Sequence, residues 1–128
     1  MNIYLDASAA VKLVVDEAET PAVGDFLARH TEAEMWSSRL VETELRRACH
    51  RWGIDQRQAT NVLDRLELFD LDRSLFQAAG LLPGAHLGSL DALHIVTALE
   101  TQMDVVITYD TRMQRALDDV GVHWVAPT

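Results

Sequence analysis

The sequence predicts an α/β fold, a parallel sheet with helices packed on both of its faces. Three observations predict it. Short β-rich runs alternate along the chain with stretches of helical periodicity, which is the pattern of βαβ units. The 128 residues fit one domain and leave little room for a second, and no internal repeat, low-complexity segment or linker divides them, so residues 1–128 read as a single domain. Apolar residues make up 48% of the chain, enough for a proper core.

Each element has its own signal. Residues 2–5 (NIYL) predict a buried strand, and residues 7–15 a short apolar helix after it. Thr20-Pro21 opens the next helix, with Thr20 as N-cap and Pro21 in first position, and the helix runs to about His30. Residues 34–37 (EMWS) predict a second strand. Ser37 or Ser38 caps a helix that ends near Trp52, with Gly53 just past its end. Asp55 caps a further helix to about Leu66, and residues 68–71 (LFDL) give a weak third strand. A helix over 73–82 is stopped by Pro83-Gly84, and another runs from Ser89 to about Met103. Residues 105–109 (VVITY) are the clearest strand. A helix over 111–119 is ended by Gly121, and residues 122–125 (VHWV) form a last strand. On such sheets ligands bind beyond the carboxyl ends of the strands, where the strand order reverses, so chemistry is expected there.

Composition excludes several classes. No apolar run approaches the roughly 20 residues of a membrane span. The opening MNIYLDAS has no basic leader before an apolar stretch, so no signal peptide is expected. Cys49 is the sole cysteine, which rules out an intramolecular disulfide, fits a reducing cytoplasm and reads as a small buried hydrophobe. The formal net charge is −9, and Lys12 stands alone beside ten arginines. An acidic chain is not an obvious nucleic-acid binder. Acids gathered at a metal site change that, because bound cations reverse the local sign. An acidic surface also suits a basic protein partner.

Four acids are placed to meet. Asp6 directly follows the first strand and Asp110 the strand VVITY, so both sit at the carboxyl edge; each also reads as an ordinary helix N-cap. Asp91 lies in the first turn of the helix SLDALHIVTALE, where a carboxylate suits the helix dipole. That helix leads back into VVITY, so it runs antiparallel to the strands and its N-terminus returns to the same edge. Glu44 lies on or beside the apolar stripe of LVETELRRACHRW, with Leu40, Val41 and Ala48 at three- and four-residue offsets. A buried carboxylate needs a partner or a metal, and the ordinary partner here is Arg47 or Arg51. Glu42 pairs with Arg46 four residues on and reads as a solvated pair. Four converging carboxylates repel one another unless hard divalent ions such as Mg²⁺ or Mn²⁺ lie among them. No Cys/His spacing points to zinc. His94, three residues after Asp91, reads as a core or rim histidine, and His30, His50, His86 and His123 form no ligand pattern.

LDAS with Asp6 and Ser8, TEL with Glu44, SLDALHIVTAL with Asp91 and ITYD with Asp110 together resemble the PIN-domain signature, and the VapC toxins in particular, over essentially the whole chain. The resemblance implies a three-layer α/β/α sandwich with a parallel sheet of about five strands in the order 3-2-1-4-5. It implies an endoribonuclease, the toxin of a toxin–antitoxin pair. Asp6, Glu44, Asp91 and Asp110 are carried over as catalytic, metal-binding acids for Mg²⁺ or Mn²⁺, and Ser8 and Thr108 as supporting hydroxyls. The implied partners are structured RNA of the tRNA or rRNA class, a VapB-like antitoxin and a second copy of the chain.

Rival classes fit less well. Asp6-x-Ser8 resembles the start of a D-x-S-x-S adhesion motif, but Ala10 stands at the second serine. A phosphoacceptor receiver needs a lysine after its last strand, and none follows Lys12. A haloacid-dehalogenase-type phosphatase needs D-x-D where this chain has D-A-S. A non-enzymatic metal-binding or interaction module on an α/β scaffold, such as a degenerate PIN scaffold, is the alternative function.

Overall fold

The computed structural model describes residues 1–128. Its strands are β1 (Asn2–Leu5), β2 (Glu34–Ser38), β3 (Glu67–Phe69), β4 (Val105–Ile107) and β5 (Trp124–Val125). Its helices are α1 (Ala7–Val11), α2 (Thr20–Arg29), α3 (Leu40–Trp52), α4 (Gln56–Leu63), α5 (Arg73–Leu81), α6 (Ser89–Glu100) and α7 (Thr111–Asp119). The strands form one sheet in the order β3-β2-β1-β4-β5, and every pairing is parallel. No helix is long and apolar enough to cross a membrane.

β1 is the central strand, with Ile3 in register with Met35 on one side and Val105 on the other. The period-2 pleat divides its side chains between two cores. Ile3 and Leu5, with Val105 and Ile107, face Val41, Leu45, Cys49, Val62 and Leu63 from α3 and α4. Tyr4 and Val106 point the other way, against Ile95 and Ala98 of α6 and Met113 and Leu117 of α7. Ile3, Tyr4 and Leu5 are all fully buried, so β1 has a continuous apolar run rather than an alternating one. Each such side chain stabilises the fold by roughly 1.5–3 kcal/mol. The chain builds outward through β2 and β3, then crosses back over β1 to add β4. That reversal puts a crevice at the carboxyl ends of β1 and β4.

Several boundaries differ from expectation. Helix α1 stops at Val11 and continues as tighter i→i+3 turns, Leu13 N–H to Ala10 O and Val14 N–H to Val11 O, both 3.0 Å. Thr20 is not an N-cap. It is the first residue of α2, behind Glu19, and its hydroxyl donates to Lys12 O at 2.9 Å while accepting from Glu17 N–H at 2.9 Å. The hydroxyl closes the loop before the helix instead of its first turn. Ser38 accepts from Leu40 N–H at 3.0 Å, although Arg39 holds the N-cap position of α3. Gly53 ends α3 in the left-handed conformation, φ +64°, as expected of a C-terminal glycine. Asp55 caps α4 through Arg57 N–H at 2.9 Å. That helix ends at Leu63, short of Leu66, and Arg65 and Leu66 follow it in tighter i→i+3 turns. β3 spans Glu67–Phe69 rather than 68–71, and β5 only Trp124–Val125. Helix α6 ends at Glu100, not Met103, with Gly88 as its N-cap.

Candidate functional site

Asp6 leaves the end of β1 directly into the crevice, with its N–H still donating to Ile107 O of β4 at 3.3 Å. It is 2% exposed. One carboxylate oxygen accepts from Ala9 N–H at 3.0 Å and from Ser8 Oγ at 2.6 Å; the other accepts from Thr108 Oγ1. The N-cap reading of Asp6 is therefore correct, but it accounts for only one of three donors. Both hydroxyls are themselves oriented. Ser8 Oγ accepts from Tyr109 N–H at 2.9 Å, and Thr108 Oγ1 accepts from Asp110 N–H at 3.2 Å. With a lone pair taken by a backbone donor, each hydroxyl hydrogen is free to point at Asp6. Burial pushes the Asp6 carboxyl up, and the donors Ser8, Thr108 and Ala9 oppose that rise.

The same bonds explain why β4 is shorter than VVITY. The strand ends at Ile107; Thr108 N–H still donates to Val125 O of β5 at 3.1 Å, and the next N–H, of Tyr109, goes to Ser8 Oγ instead of the ladder. Asp110 then caps α7, accepting from Arg112 N–H at 2.8 Å and Met113 N–H at 3.3 Å through one oxygen. Its second oxygen takes no part in the cap.

Asp91 sits in the first turn of α6, beyond Gly88. Burial raises its carboxyl first, then the charges of Asp110 and Asp6; His94 opposes the rise, and Glu44 adds to it. Three acids from three other elements thus act on Asp91 together. Helix α6 is buried from Ala92 through Ala98, consistent with its nearly all-round apolar sequence.

Glu44 does not pair with Arg47 or Arg51. Its Oε1 accepts from His94 Nε2 at 2.8 Å, the Glu44 side chain being 20% exposed and that of His94 1%. His94 Nδ1 in turn meets Tyr4 Oη at 2.7 Å. Burial holds the Tyr4 hydroxyl far above its usual range, so it stays protonated. Sequence reasoning placed His94 in the core and gave it no role. The available signal was a lone imidazole on an otherwise apolar helix, one turn from Asp91. The Glu42–Arg46 pair forms as expected, at 3.5 Å.

The structure therefore brings Asp6, Asp91, Asp110 and Glu44 to one sheet edge, with Ser8 and Thr108 bonded to Asp6. It does not close them into a ready-made coordination sphere: no three acidic, histidine or cysteine side chains stand at metal-holding spacing. Like charges repel, and Ala9, Arg112 and His94 each hold one carboxylate by a hydrogen bond. The donor set is all oxygen, which suits a hard divalent cation and not zinc. The largest hollow, about 600 Å³ between α5 and α6, is lined mainly by apolar residues such as Phe76, Leu82 and Leu93 and contains none of these acids.

A parallel sheet in the order 3-2-1-4-5 with acids at its reversal point defines a class, and the family model of the PIN domain matches residues 3–118. The chain belongs to the PIN-domain family, and within it to the VapC type. Ribonuclease VapC35 of Mycobacterium tuberculosis is 36% identical over 98% of this chain and 96% of its own length. Ribonuclease VapC46 of the same organism is 38% identical over 98% of both. Among solved structures, VapBC2 from Rickettsia felis, bound to a promoter DNA fragment, superposes with a TM-score of 0.75 at 17% identity over all of both chains. Mycobacterium tuberculosis VapC20, a toxin that cleaves the sarcin–ricin loop, gives 0.74 at 15% identity over 89% of this chain and 94% of its own. At those identities the structural likeness shows the fold alone.

Proposed function

We propose that this protein is a divalent-metal-dependent endoribonuclease, the toxin component of a toxin–antitoxin pair. One observation carries the reading: carboxylates from β1, α3, α6 and β4 converge on one edge of the sheet, and the charges of three of them act on Asp91. Such a cluster disfavours its own ionised form until a cation joins it. The VapC relatives supply the class of reaction.

Asp6, Asp91 and Asp110 are the principal metal-holding groups, with Glu44 beside them. Bound Mg²⁺ or Mn²⁺ supplies an acidified water and offsets charge on the phosphoryl oxygens. Ser8 and Thr108 favour the carboxylate form of Asp6 against the effect of burial and fix its direction. Asp110 holds one oxygen in the cap of α7 and presents the other. Glu44 keeps Oε1 on His94, which leaves Oε2 to orient an attacking water and take its proton. Hydrolysis of the RNA phosphodiester then leaves 5′-phosphate and 3′-hydroxyl ends. No histidine pair is needed. The substrate is structured RNA of the tRNA or rRNA class, the active form is a homodimer, and a VapB-like antitoxin silences it.

The test is to incubate purified protein with total RNA in Mg²⁺, Mn²⁺ or EDTA, beside Asp6→Asn, and to map the ends. Metal-dependent cleavage with 5′-phosphate ends, lost by orders of magnitude in the variant, is expected. EDTA-resistant cleavage or 2′,3′-cyclic phosphate ends would overturn the mechanism. Metal binding without cleavage of any RNA would favour the non-enzymatic module.

A further inference from the structure

The least explained polar feature of the core is the chain Glu44–His94–Tyr4. Its members come from α3, α6 and β1 and are joined by bonds of 2.8 and 2.7 Å. His94 is 1% exposed and Tyr4 fully buried. The rings meet edge to face, with centroids 5.8 Å apart and planes at 74°. Ile95, Ala98, Val106 and Met113 surround Tyr4, and Leu93 and Val96 flank His94 on α6. The imidazole satisfies two groups at once: a leucine would fill similar space but leave the buried Tyr4 hydroxyl and Glu44 Oε1 without their partner.

What the imidazole does is reach the acidic edge. A proton on Nε2 satisfies both neighbours: Nε2–H donates to Glu44, and Nδ1 meets the Tyr4 hydroxyl, which can donate or accept. The opposite tautomer would turn a lone pair toward the carboxylate. Glu44, which only accepts, calls for the proton on Nε2, and Tyr4 at Nδ1 fixes the ring in the direction that holds Glu44 Oε1.

We propose that His94, oriented by Tyr4, is the positioning residue of Glu44: it anchors Oε1 and thereby presents Oε2 to the acidic edge in one rotamer. The inference rests on the reading of that edge as the metal-holding site. It assigns His94 no contact with RNA and no titration step. Partners of this kind behind a ligating or water-orienting group typically change metal affinity or activity by about 10- to 100-fold when removed.

Three measurements test it. In ¹⁵N-histidine-labelled protein, long-range ¹H–¹⁵N spectra should show His94, identified by its loss in His94→Gln, protonated on Nε2. Tyr4→Phe removes one hydroxyl from the core and should shift the Nδ1 resonance while Nε2 stays protonated, because Glu44 still accepts there. A wild-type His94 protonated on Nδ1 alone overturns the proposal. Secondly, Mn²⁺ affinity by calorimetry and kcat on RNA should fall about 10- to 100-fold in His94→Leu and recover largely in His94→Gln, whose amide N–H can reach Glu44. Equal loss in the leucine and glutamine variants, or no loss in either, overturns it. Should His94→Leu fail to fold, Tyr4→Phe carries the same comparison at smaller amplitude. Thirdly, His94→Leu added to Glu44→Ala should cost nothing further, as expected of two groups acting as one unit. If Glu44→Ala itself leaves Mn²⁺ affinity and cleavage unchanged, Glu44's role in the site reading fails. If Glu44→Ala is impaired and His94→Leu is not, only the positioning role fails.

Discussion

Asp6 shows how one carboxylate is made to serve structure and chemistry at once. Its burial alone favours the protonated acid, and the two hydroxyls and Ala9 N–H oppose that. Thr108→Val keeps the shape and removes one opposing donor, so the Asp6 carboxyl rises further. The protonated acid cannot hold a cation. The acid limb of the pH–activity profile should therefore move to higher pH in Thr108→Val, and in the same direction in Ser8→Ala. An unmoved limb in both would show that neither hydroxyl tunes Asp6. Asp91 gives a stability prediction with a definite sign. Its folded-state carboxyl lies above the ordinary value, so between the two values the folded chain binds more protons than the unfolded one. Stability contributed through Asp91 then falls as pH rises through that window, and the loss is complete above the folded value. Asp91→Asn should melt slightly above wild type at neutral pH in EDTA, and the difference should vanish under acidic conditions. A lower melting temperature at neutral pH would mean that the carboxylate has a stabilising partner there.

At the scale of elements, Asp110 separates cap from charge. It holds the first turn of α7 through Arg112 and Met113 N–H. Asparagine caps helices about as well as aspartate, whereas alanine loses about 1 kcal/mol. Asp110→Asn should keep the melting temperature and lose cleavage, while Asp110→Ala should lose both. If the asparagine variant retains full cleavage, Asp110 is a cap and nothing more. Strand cores, helix order and the four caps Asp6, Gly53, Asp55 and Asp110 were legible because each depends on residues adjacent in sequence: NIYL before Asp6, Asp55 before Gln56, Gly53 after Trp52. Ends set by distant partners were not legible. Tyr109 continues the strand pattern, yet its N–H goes to Ser8 Oγ, about a hundred positions earlier, instead of the ladder. Thr20 looks like a cap until Lys12 O claims its hydroxyl. The carboxyl-edge acids could be read from strand–Asp–helix junctions. Glu44's partner could not, since His94 is fifty residues away and Arg47 and Arg51 lie nearer along the helix.

For the molecule as a whole, the net charge of −9 and the clustered carboxylates make cation binding a stability term. If the carboxylates hold Mn²⁺ in the folded chain alone, it should raise the melting temperature, by an amount equivalent to about 2.7 kcal/mol at a hundredfold excess over Kd. The rise should be absent in Asp6→Asn combined with Asp91→Asn. Equal rises in both proteins would place the binding elsewhere. The same acidic crevice suits an antitoxin segment that sets an arginine or lysine against the carboxylates. Mn²⁺ should weaken such a complex, and removing the basic residues of that segment should abolish inhibition. A complex indifferent to both would be held by another surface.

The strand order has a consequence for how the protein is born. β1 lies at the centre of the sheet, yet the strand that completes its second side begins at Val105. Asp6 and the Thr108 hydroxyl that holds it are 102 residues apart. At about 5–20 residues per second of synthesis, the two are made roughly 5–20 s apart. Throughout that interval the nascent chain already carries Asp6 but lacks β4, α7 and Asp110. A translation product interrupted before Val105 therefore carries Asp6 without the strand and helix that complete its crevice.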